Sequence, residues 1–117
     1  MNELEALARK ACAVLDAKQA ENILCLDISQ QSIIADYFVI CSGRNTILAR
    51  ALYDELEERM AEAGRPLLRA EGYREGRWVV MDFGGLIVHI FHEPEREFYH
   101  LERLWDSGTN RLELDLS

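Results

Sequence analysis

Leu4, Leu7, Ala8, Ala11, Val14 and Leu15 recur at spacings of three and four, the period that gathers apolar side chains on one side of a helix. This predicts a first helix over residues 3–18. The runs "NILCLDIS" and "DYFVICSG" are short, apolar and rich in β-branched or aromatic residues, which predicts two strands separated by the polar "QQSIIA". The second run is expected to be buried on both faces. Beyond Ser42 and Gly43 the period returns to that of a helix at Ile47, Leu48, Ala51, Leu52, Leu56 and Met60, with Asn45 or Thr46 as its cap and Gly64 and Pro66 as its stop. A weak strand signal covers residues 67–72, and "RWVVMDF" and "LIVHIFH" are strong strands. Pro94 suits the first turn of a third helix, whose acidic start (Glu93, Glu95, Glu97) complements the helix dipole. Phe98, Leu101, Leu104 and Trp105 are expected to form the apolar face of that helix. The order α-β-β-α-β-β-β-α predicts an α/β fold, a mixed β-sheet with helices packed on it. Residues 1–106 are expected to form one domain, with 107–117 as a tail that frays or adds a short edge strand.

The two strong strands are joined by Gly84 and Gly85, a two-residue turn signal that needs positive φ and fixes the register. Trp78 is then opposite Phe91, Val79 opposite Ile90, Val80 opposite His89, Met81 opposite Val88, Asp82 opposite Ile87, and Phe83 opposite Leu86. One face of the hairpin carries Val79, Met81, Phe83, Leu86, Val88 and Ile90 and belongs to the core. The other carries Trp78, Val80, Asp82, Ile87, His89 and Phe91, mixing aromatic anchors with polar groups in the manner of a protein interface. A competing reading has a helix of the same chain covering this face, with Asp82 and His89 satisfying each other.

Residues 78–105 hold all the histidines (His89, His92, His100) and several glutamates, which raises the question of a metal. Glu97 and His100 form E-x-x-H, which puts two ligands on one helix face, but a di-metal site needs a second such pair from neighbouring helices, and the βα alternation offers none. His89 and His92, three apart on a strand, point to opposite faces. No metal, cofactor or catalytic residue is assigned. The turn from strand into helix at Ser42 and Gly43 offers helix-start amides to a phosphate, yet neither glycine-rich nucleotide motif is present. Magnesium-dependent nucleotidyl transfer also needs paired carboxylates on a strand nearby, whereas Glu55 and Glu57 lie in a helix and Glu113 and Asp115 in the tail. No residue sits in a nucleophile-elbow pattern, and Cys41 follows strand residues that bury it.

Composition narrows the choice. The chain has 117 residues, enough for one core, and no apolar run approaches the roughly 18 residues of a membrane span. "MNELEALARK" lacks a signal-peptide pattern, so a cytoplasmic location is expected. Cys12, Cys25 and Cys41 lie far apart in apolar surroundings and are read as reduced core residues. Thirteen basic against twenty-one acidic residues give a net charge of −8, which opposes docking on a phosphate backbone and favours a basic protein partner.

The segments "SIIADYFVICSG", "WVVMDFGGLIVHIFH" and "EREFYHLERLW", in this order and spacing, resemble the ribosomal silencing factor family, also called RsfS or Iojap-related proteins. The resemblance spans residues 5–106. It implies a nucleotidyltransferase-like α/β fold without the catalytic carboxylates, and a protein that binds the large ribosomal subunit through its universal ribosomal protein fourteen. It also implies that binding sterically blocks the small subunit and lowers translation when nutrients are scarce. Trp78 stands at the family's partner-contacting tryptophan, and Asp82 and His89 at its D-x-G-D-x-x-V-H positions. Two departures are Gly85, where an acidic residue is usual, and Ile33, where a small hydroxyl residue is common. A nucleotide-binding or nucleotidyltransferase enzyme using Ser42 and Gly43 is the alternative; another basic protein partner, and a homodimer of the free protein through Tyr99 and Trp105, are further expectations.

Overall fold

Asn2 supplies the cap of the first helix: its side-chain oxygen accepts the Glu5 amide at 2.7 Å, satisfying one of the amides that a helix start leaves free. The computed structural model, which describes residues 2–116, places nine elements along the chain. They are α1 (Glu3–Ala17), β1 (Glu21–Asp27), β2 (Ala35–Gly43), α2 (Thr46–Glu62), β3 (Arg69–Glu71), β4 (Trp78–Asp82), β5 (Gly85–His92), α3 (Glu93–Tyr99) and α4 (Leu101–Trp105). Asn45 caps α2 by accepting the Leu48 amide at 2.7 Å, and Gly64 takes a φ of 83° just beyond its end.

The strands form one sheet in the order β1-β2-β5-β4-β3. β2 and β5 run parallel and every other neighbouring pair antiparallel, which is the expected mixed sheet. Because β2 and β5 are central, their apolar runs are buried from both sides. The main core gathers Val39, Cys41, Val79, Met81, Val88 and Ile90 against Leu15 of α1 and Leu52 and Leu56 of α2. A smaller cluster holds Leu26, Phe38, Ile40 and Phe91 with Leu101 and Trp105 of α4. Helices thus pack on the sheet as the patterning predicts. No helix among the described residues is long and apolar enough to cross a membrane.

At the β4–β5 turn Gly84 and Gly85 have φ of 83° and 85°, the left-handed geometry that glycine adopts freely. The Asp82 carboxylate accepts the Gly84 amide at 2.9 Å and holds the turn closed. A Cβ added at Gly85 would sit 2.9 Å from the end of the Leu4 side chain.

The third helix departs from expectation. It is two short helices, broken at His100, whose φ of 49° is left-handed. The break redirects the chain so that Leu101 is buried and Trp105 reaches Phe38 at 5.2 Å, while Phe98 and Leu104, expected on the apolar face, are 79% and 75% exposed. The tail runs beside β1: Asp27 N–H donates to Asn110 O and Leu112 N–H to Cys25 O, both at 2.9 Å, with one β-bridge between Leu26 and Arg111. Leu112 and Leu114 pack against the main core.

Candidate interaction surface

The glycine turn sets the hairpin register as the sequence demands: Trp78 pairs with Phe91, Val80 with His89 and Asp82 with Ile87. Trp78, Val80, Asp82, Ile87, His89 and Phe91 therefore share one face of the sheet. That face is divided. At one end α3 and α4 cover it, leaving Phe91 fully buried and His89 only 6% exposed. At the other end Val80, Asp82 and Ile87 are half-buried and, with Arg69, Ala70 and Glu71 of β3, line an open depression of about 300 Å³. A helix pair of the same chain thus covers one half of the face, and the other half is left open.

Between the halves stands Trp78, half-buried. Its indole stacks on Phe91 with ring centres 4.9 Å apart and planes 27° from parallel, and Tyr99 of α3 lies 4.9 Å away on a tilted plane. The indole N–H donates to Nδ1 of His89 at 3.1 Å. The expected Asp82–His89 pairing does not form, because each group is engaged nearer at hand. One Asp82 oxygen accepts Gly84 N–H, and the other lies 3.5 Å from the exposed Arg69 guanidinium. Such a long, exposed ion pair adds little stability and leaves that oxygen available to an incoming cation.

Burial, with no charge to offset it, lowers the His89 pKa to about 4. The ring is neutral at neutral pH, and because Nδ1 accepts, the proton resides on Nε2. That Nε2 is buried and has no hydrogen-bond partner among the described residues. The ring itself is held edge-to-face against Phe38, centres 4.6 Å apart.

The other candidates come out differently. Ser42 is fully buried and its hydroxyl accepts from Arg96 Nη1 at 3.0 Å. At Gly43 an added Cβ would lie 3.0 Å from the Ala49 amide nitrogen, so the close approach of α2 accounts for glycine there. Cys12, Cys25 and Cys41 are free and buried, as expected. Burial pushes the Cys41 thiol up to about 12, and a hydrogen bond with Cys25 together with burial raises Cys12 as well, so both are protonated at neutral pH. The E-x-x-H spacing loses its meaning because His100 leaves the helix, and the Arg96 guanidinium shares the cavity that Glu97 and His100 line.

Sequence reasoning did not single out Arg96, the residue that secures α3 and α4. Its guanidinium bonds Glu102 at 3.1 Å, the Asn22 carbonyl at 2.6 Å and the Ser42 hydroxyl, joining both short helices to β1 and β2. Nothing in its local pattern separates it from a solvated helix arginine. Phe38, Arg69, Ala70, Glu71 and Tyr99 also enter the site only through pairing and packing.

Comparison with known proteins agrees with this architecture. The family described as ribosomal silencing factor during starvation matches residues 1–117. A Bacillus subtilis protein named ribosomal silencing factor RsfS is 41% identical over 105 residues, covering 90% of this chain and 88% of its own. A crystal structure from Bacillus halodurans superimposes with a TM-score of 0.79 at 38% identity, covering 96% of this chain and 98% of that one. A mouse protein named mitochondrial assembly of ribosomal large subunit protein 1 is 28% identical over 96 residues, covering 80% of this chain and 42% of its own.

Proposed function

This chain belongs to the family of ribosomal silencing factors, and from that premise we propose that it is a non-enzymatic translational repressor of the cytoplasm that acts by occlusion. It binds the large ribosomal subunit through universal ribosomal protein fourteen, and its bulk excludes the small subunit when nutrients are limiting. The observation that carries this reading is the divided hairpin face. Trp78, locked at its border, and the open Val80, Asp82 and Ile87 beside it combine an aromatic anchor with a carboxylate whose outer oxygen is held only by a long, exposed ion pair to Arg69, which a basic partner can displace. A net charge of −8 favours that partner at longer range. The large-subunit name of the mouse relative supports the same half of the ribosome. His89 and Phe91 lie too deep to touch a partner and serve by shaping the surface from beneath. Occlusion needs no chemistry, consistent with protonated thiols and a buried Ser42.

A subunit-joining assay on density gradients tests the reading, with added protein expected to leave the two subunits apart. Unimpaired joining at saturating protein defeats it. Trp78→Ala is expected to weaken binding to the large subunit by about 2 kcal/mol, roughly thirtyfold, as truncation of a central aromatic anchor does. Unchanged co-sedimentation of the folded variant removes Trp78 from the interface.

A further inference from the structure

The indole of Trp78 is held by contacts of two kinds. Phe91 stacked beneath it and Tyr99 tilted beside it, each with ring centres 4.9 Å away, are ring contacts, which restrain the plane of a ring more than its rotation within that plane. The hydrogen bond to His89 Nδ1 at 3.1 Å is directional and fixes that rotation. An indole N–H is a donor only, so its direction is set by where the acceptor stands. His89 is well placed to serve as a fixed acceptor. Its backbone lies in a central strand, opposite Ile40 on one side and Val80 on the other, and Phe38 meets its ring edge-to-face. Trp78 is opposite Phe91, so His89 is its diagonal neighbour across the hairpin, within the reach of long aromatic side chains.

We propose that His89 is a positioning residue for the partner-binding surface: its Nδ1 lone pair holds the Trp78 indole in the rotation in which it meets the partner. This rests on the functional reading above and adds to it a division of labour, with Trp78 touching the partner and His89 acting only through Trp78. An indole ordered before binding loses less freedom on association than one that must be ordered by the partner. Burial, which keeps the ring neutral and Nδ1 free to accept, serves the same end.

The test labels the indole nitrogens of the two tryptophans with ¹⁵N and assigns the Trp78 signal by its loss in Trp78→Phe. In His89→Leu, which cannot accept, the Trp78 indole proton is expected to shift and to exchange with solvent about tenfold faster, the scale of one lost hydrogen bond. In His89→Gln, which keeps an acceptor, both signatures are expected to return towards those of the unmodified protein. Affinity for purified large subunits is expected to fall about tenfold in His89→Leu and to recover in His89→Gln. In a Trp78→Phe background, His89→Leu is expected to cost no further affinity, since the group it positions is gone.

An unchanged indole shift and exchange rate in His89→Leu overturns the proposal, as does an equal affinity loss in both backgrounds, which makes the role structural. Unmodified protein that does not bind large subunits defeats the functional reading instead, while the indole signals still decide whether His89 holds Trp78.

Discussion

His89 feels the sheet's interior more than any other histidine in the chain: burial takes its pKa from 6.5 to about 4. In the unfolded chain it takes up a proton as pH falls through 6.5, whereas in the folded protein it stays neutral until about pH 4. Between those values the unfolded state binds more protons. The contribution to stability is therefore complete above pH 6.5 and is lost on acidification towards pH 4, by about 3 kcal/mol in all. Urea unfolding at pH 7 and pH 4.5 is expected to show most of that loss in the unmodified protein and a smaller one in His89→Gln; equal losses in the two proteins contradict it. At this scale the sequence was informative wherever the requirement is local. The positive φ of Gly84 and Gly85 follows from the turn, and buried thiols follow from cysteines inside apolar strand and helix patterns. The partners of His89 and Asp82 were not legible, because register places both within reach of each other and of nearer groups, and the nearer groups win.

The element that the sequence described least well is the segment after β5. A period of three and four was expected to give one helix burying Phe98, Leu101, Leu104 and Trp105, yet the left-handed His100 divides it and of the four only Leu101 is buried. α3 has no buried residue of its own, so its position depends on tethers: the Arg96 bonds, the Glu95 contact with His92 at 3.2 Å, and Tyr99 against Trp78. Arg96→Ala leaves the partly buried Glu102 carboxylate and the Asn22 carbonyl without their donor. It is expected to lower stability by about 2 kcal/mol, seen as a lower denaturation midpoint at unchanged slope, and to expose the Trp78 indole. A variant as stable as the unmodified protein excludes the clamp.

For the whole molecule, a net charge of −8 set against the basic partner proposed above makes ionic strength a probe of the docking mode. Raising salt from about 50 to about 300 mM is expected to weaken large-subunit binding on the order of fivefold, chiefly through a slower on-rate. Binding that strengthens with salt contradicts a basic partner. The sequence by itself determined the elements up to the end of β5, the mixed sheet, the hairpin register and the family, because hydrophobic period, turn chemistry and segment order are properties of neighbouring residues. Only the tertiary structure decided which half of the hairpin face is covered and which lies open. That choice depends on Arg96 reaching Asn22 and Ser42, 74 and 54 residues away, and on the helix break that carries Trp105 to Phe38. Contacts between such distant residues, and the loss of water around His89 that they enforce, arise from packing and leave no periodic trace along the chain.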